Sequence, residues 1–105
     1  MYKLVFFVPE SHVDVVKAAI FAAGAGSTGN YDQCCWQTSG TGQFRPLAGS
    51  DPFIGEQGKL TQVSEFRVET VCDDQRIGAV LKVLRAAHPY EEPAIDVWQL
   101  AGPEL

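Results

Sequence analysis

Between positions 60 and 84 the apolar spacing switches from two to three-and-four, and this switch constrains the fold more than any other feature. Ser64, Phe66, Val68, Thr70 and Cys72 alternate with Glu65, Arg67 and Glu69, the pattern of an antiparallel strand with one solvated face. Asp73 or Asp74 then offers a helix N-cap. Behind them Ile77, Val80, Leu81 and Leu84 repeat at i, i+3, i+4 and i+7, with Lys82 and Arg85 on the outer side near the C-terminal end of the dipole. His88 falls in the last turn and Pro89 stops the helix. Residues 94–100 read as a closing strand that Gly102-Pro103 ends.

The first half carries a similar unit. Residues 2–8 are aromatic and β-branched on both faces and stop at Pro9, as a central strand does. Ser11 followed by Asp14 predicts a variant capping box, after which Val13, Val16, Ile20 and Ala23 keep helical spacing. Gly24 suits a left-handed cap. Residues 31–62 are the least regular. Residues 31–38 predict a short strand carrying Cys35 and Trp36, Ser39-Gly40-Thr41-Gly42 a turn, and Gln43-Phe44-Arg45 the second arm of a hairpin. Pro46, Gly49, Pro52, Gly55 and Gly58 punctuate the long loop that follows, and a loop of that length in a compact domain is shaped for a purpose. The order is strand, helix, strand pair, strand, helix, strand. It predicts an α+β, ferredoxin-like βαββαβ sandwich with an extra hairpin and long loop at about 31–62, forming a single domain over 1–105. Two helices would cover one face of the sheet, and Trp36, Phe44 and Trp98 supply apolar surface through which copies could close the other.

Charge removes two classes of partner. The net charge is −5 and the eight Lys and Arg residues are scattered singly, so neither nucleic acid nor an anionic membrane is expected. No apolar run reaches the ~18 residues that span a bilayer. The first residues read as a strand and not as a signal sequence, and the three cysteines are an odd count unlike a secreted disulfide framework, so a cytoplasmic location is expected. The cysteines read as small apolar residues. Gly24-Ala25-Gly26-Ser27-Thr28-Gly29 spells G-x-G-x-x-G, but it follows a helix and opens none, which excludes a dinucleotide site.

The richest chemistry lies in His88-Pro89-Tyr90-Glu91-Glu92-Pro93. One reading is a rigid, proline-bracketed turn in which Tyr90 covers the core edge and the glutamates accept backbone amides or pair with Arg45, Arg67 or Arg85. Another makes His88, Tyr90, Glu91 and Glu92 a ligand site, with His88, Glu91 and Glu92 able to hold a divalent cation, since borderline metals accept imidazole with carboxylate. Catalysis ranks behind both, because no nucleophile or second base accompanies the turn.

Several strings together resemble a known module: Gly24-Ala25-Gly26-Ser27-Thr28-Gly29-Asn30-Tyr31, Gly42-Gln43-Phe44-Arg45-Pro46, Gly55, Val63-Ser64-Glu65, and His88-Pro89-Tyr90-Glu91-Glu92-Pro93-Ala94-Ile95-Asp96-Val97. They resemble the PII/CutA-like domain inserted in Nif3-like proteins, the dinuclear-metal homologues of GTP cyclohydrolase. The 88–91 string also resembles the matching turn of the CutA divalent-cation-tolerance proteins. The resemblance implies a ferredoxin-like module that self-associates, with a trimer favoured, and adds Asn30 and Tyr31 to the candidate ligand residues. In that family the two-metal site is built by flanking domains. With only His12 and His88, no dinuclear centre is expected here. The expected function is therefore a non-catalytic oligomeric module that binds a small ligand, a metal ion or a protein. A CutA-like divalent-metal binder is the alternative, and a metal-dependent hydrolase ranks third.

Overall fold

The computed structural model describes residues 1–102; Pro103, expected to follow the last strand, lies outside them. The elements are β1 (Tyr2–Pro9), a 3-10 turn (Glu10–His12), α1 (Val13–Ala22), β2 (Cys35–Phe44), β3 (Thr61–Cys72), α2 (Ile77–Ala87) and β4 (Ile95–Gln99). The four strands form one antiparallel sheet in the order β2-β3-β1-β4, which is the ferredoxin-like topology.

Alternation decides the layers. Leu4, Phe6 and Val8 of β1 and Val68 and Cys72 of β3 meet Val13, Val16 and Ile20 of α1 and Val80 and Leu84 of α2 in one closed core. Side chains such as Phe6, Leu4, Ile20 and Leu84 are fully enclosed there, each contributing about 1.5–3 kcal/mol of apolar burial. Among the described residues no helix lies on the opposite sheet face. By register that face carries Lys3, Val5 and Phe7 of β1, Trp36 and Phe44 of β2, Glu65, Arg67 and Glu69 of β3, and Trp98 of β4.

Helix ends follow local chemistry, with one departure. Gly24 (φ +110°) lets its own N–H reach Phe21 O at 3.0 Å while the Ala25 N–H reaches Ile20 O at 3.0 Å, so α1 ends in a Schellman motif. Asp73 Oδ1 accepts the amides of Gln75 (3.1 Å) and Arg76 (2.9 Å) and caps the turn into α2. The capping box expected at Ser11 does not form. The chain leaves Pro9 through a 3-10 turn, Ser11 lies inside it, and its hydroxyl meets His12 Nδ1 at 2.8 Å instead of an amide of α1.

The hairpin expected within residues 31–45 is also absent. Residues 35–44 run as one straight strand paired with β3 from Cys35 opposite Thr70 to Phe44 opposite Thr61. Ser39-Gly40-Thr41-Gly42 therefore continues the ladder instead of turning. The reason lies across the sheet. A Cβ on Gly42 would sit 1.9 Å from Glu65 Oε1, so the glycine makes room for the Glu65 carboxylate. The molecule extends 48 Å along its long axis, against 24 and 23 Å across. The loop over 45–60 joins the two strands and is braced internally, with Gly58 N bonded to Pro46 O at 2.7 Å and Gln57 Nε2 to Ser50 O at 2.9 Å.

Candidate functional site

α2 delivers His88 to the sheet. Its amide closes the helix on Leu84 O at 2.9 Å, and Pro89 forces the chain out of the helix. The side chain is 5% exposed. The Tyr90 amide donates to His88 Nδ1 at 3.1 Å, so Nδ1 must hold a lone pair. The proton is therefore on Nε2, which donates to Phe7 O of β1 at 2.7 Å. Two backbone groups thus fix one neutral tautomer. Burial, opposed by the Phe7 carbonyl and Glu65, pushes the imidazole's pKa below its ordinary value.

Tyr90 extends the chain of contacts. Its ring lies 4.9 Å from that of His88, and its hydroxyl donates to Glu65 Oε2 at 2.7 Å. Burial, then the Glu65 bond and charge, raise the phenol's pKa above that of an ordinary tyrosine. Phe44 and Phe53 stand 6.4 and 6.5 Å from the Tyr90 ring, and Phe53 meets His12 edge-on at 5.3 Å. Glu91 Oε2 accepts the Asp51 amide at 3.0 Å, which ties the 45–60 loop to the turn after α2. Between the loop and the turn lies a cleft of about 920 Å³ whose walls include Phe7, Phe44, Phe53, Glu65, Tyr90 and Glu92. That volume is in the range of small-molecule pockets.

Of the residues expected from sequence, Tyr90, Glu91 and Glu92 line the cleft, and His88 props Tyr90 from behind. Asn30 and Tyr31 are elsewhere. They follow Gly26, whose N–H bonds Val71 O, at the end of β3 where Thr70 faces Cys35; Glu65 is five residues away, roughly 17 Å at strand rise. Trp36 and Trp98 sit on the uncovered sheet face, 59% and 46% exposed, while Phe44 belongs to the cleft. Two contributors went unanticipated. Glu65 looked like one wet-face residue among three, and Phe53 lies in an irregular loop; only the Val63-Ser64-Glu65 string signalled the first.

His88, Glu91 and Glu92 do not fit a metal within one chain. Both imidazole nitrogens are engaged, and among the described residues no three His, Cys, Asp or Glu side chains come together as a cation would require. The glycine string is likewise structural. A Cβ on Gly26 (φ +80°) would meet Cys34 N at 2.8 Å and Cys34 O at 2.9 Å.

Comparison with known proteins places this geometry. A GTP cyclohydrolase 1 type 2 homolog of Mycobacterium leprae is 48% identical over 101 residues, covering 96% of this chain and 26% of that protein. A Bacillus cereus protein related to NIF3 superposes with a TM-score of 0.82 at 40% identity, again over 96% of this chain and 26% of its own. The chain is homologous to a module of the Nif3-like family. It spans about a quarter of the length of the curated relatives it matches. The chain shares its fold with the PII-like protein CutA of Nostoc, at TM-score 0.67 and 14% identity over 96% of this chain and 82% of that one. No protein-family model matches the chain. Among the described residues no helix is long and apolar enough to cross a membrane.

Proposed function

We propose that this Nif3-like module is a non-catalytic, self-associating domain of the cytoplasm that holds a small molecule in the cleft beside the 88–93 turn. The observation that carries the reading is how the titratable side chains of the turn are used. His88 is committed to two backbone groups, Tyr90 to Glu65, and one oxygen of Glu91 to the Asp51 amide, so these three shape a concave, aromatic-walled site, with Glu92 the one titratable side chain of the turn left without a partner among the described residues. Cyclohydrolase chemistry, which the relatives' name suggests for them, is not proposed for this module.

Self-association is supported by the outer sheet face, where Trp36 and Trp98 are exposed large apolar side chains. The PII/CutA-like resemblance favours a trimer. Native mass spectrometry of protein taken from cells tests both parts at once. The reading expects a trimeric mass carrying a retained small ligand. A bare monomer, with light scattering reporting monomer throughout the micromolar range, would overturn it.

A further inference from the structure

We infer that the cleft beside the 88–93 turn selects an organic cation, a protonated amine or guanidinium carried on a compact apolar body. This rests on the cleft reading above and names its ligand class. The walls supply three rings open to a ligand, Phe44, Phe53 and Tyr90, a fourth, Phe7, that already carries the Arg67 guanidinium at 5.8 Å, and three carboxylates, Glu65, Glu91 and Glu92. Among the described residues Arg45 is the one cationic side chain in the lining itself, and Arg67, over the Phe7 ring, is paired with Glu69, so the lining balance is three against one. Among the described residues Arg45 makes no ion pair, and Glu92 accepts no hydrogen bond; Glu65 and Glu91 each have one oxygen engaged, by Tyr90 and by the Asp51 amide. Glu65 is half-buried, where its charge is less screened than in open water, while Glu91 and Glu92 stand exposed at the rim with unspent acceptor oxygens facing an incoming cation.

The rings favour the same sign. A cation over an aromatic face gains from the ring's quadrupole. Tyr90 remains an intact phenol because its hydroxyl is given to Glu65, and the imidazole beside it, 4.9 Å away and tilted by 52°, is held neutral by its two backbone bonds. His88 therefore brings no positive charge against the Tyr90 ring. A phosphate-bearing ligand would meet the opposite preference, since the carboxylates repel it and only Arg45 could neutralise it.

Three probes with one ring and different charge separate the possibilities: benzylamine, benzyl alcohol and benzoate, titrated into the full chain and followed by amide NMR. The expected result is that benzylamine moves the amides of Phe44, Phe53 and Tyr90 and binds at least about five-fold more tightly than benzyl alcohol. Glu92→Gln should weaken benzylamine roughly three-fold, the size of a partly exposed charge contact, and leave benzyl alcohol unchanged. Asp14→Asn, on the solvated side of α1, should alter neither. Benzyl alcohol or benzoate binding as tightly as benzylamine at these amides would overturn the cation preference while leaving the cleft as a binding site. No movement of these amides with any probe would overturn both.

Discussion

The hydroxyl of Tyr90 donates to Glu65 Oε2 at 2.7 Å, joining the turn after α2 to a strand 25 residues away in sequence. The bond holds the cleft wall against the sheet. Tyr90→Phe keeps the ring and leaves a half-buried carboxylate without its donor. A stability loss of about 1–2 kcal/mol is expected, at the lower end for a bond to a charged group because the site is partly open. Urea titration should show a lower midpoint with an unchanged m-value.

Gly42 depends on the same carboxylate. Gly42→Ala places a methyl where Glu65 Oε1 lies and should push the side chain off Tyr90, costing about 1 kcal/mol or more. In the Tyr90→Phe background the added cost should shrink, so a double-mutant cycle reports coupling between two residues that are not hydrogen-bonded to each other. Gly40→Ala, where nothing lies within 4 Å, should cost little.

Acid should weaken the fold through His88. Its folded pKa lies below the ordinary 6.5, so the unfolded chain binds the proton first. The stability tied to the neutral ring is complete above 6.5 and is lost as pH falls from there toward the folded value. Denaturation midpoints measured between about pH 7.5 and 5.5 should fall with pH, and His88→Gln should flatten that slope while lowering the plateau.

Self-association should depend on the uncovered face. Trp36→Glu or Trp98→Glu puts a charge where apolar area is to be buried, and Trp36→Glu also sets it opposite Glu69. Light scattering should report a mass reduced toward the monomer, with circular dichroism unchanged. An unaltered assembly in both variants would remove this face as the interface.

Most elements were legible because their signal is local. The alternation through β3, the 3-4 spacing of α2 and the stop at Pro89 depend on neighbours in sequence. β2 was not, because Gly40 and Gly42 look like a turn until Glu65 arrives from the adjacent strand. Ser11 read as a cap because sequence spacing does not show the 3-10 turn after Pro9. The 88–93 turn was visible as a cluster, yet its partners Phe7, Glu65 and Phe53 reach it only through the fold. That is why composition suggested a metal or an acid/base pair where the geometry spends the same groups on structure.

The protonation state of His88 tests the account most directly. Nitrogen-15 NMR of the imidazole, with and without zinc, should show the neutral tautomer protonated on Nε2, persisting as pH falls past 6.5 and unmoved by the metal. A ring protonated on Nδ1, titrating at the ordinary value, or shifted by zinc at Nε2 or Nδ1 would contradict it.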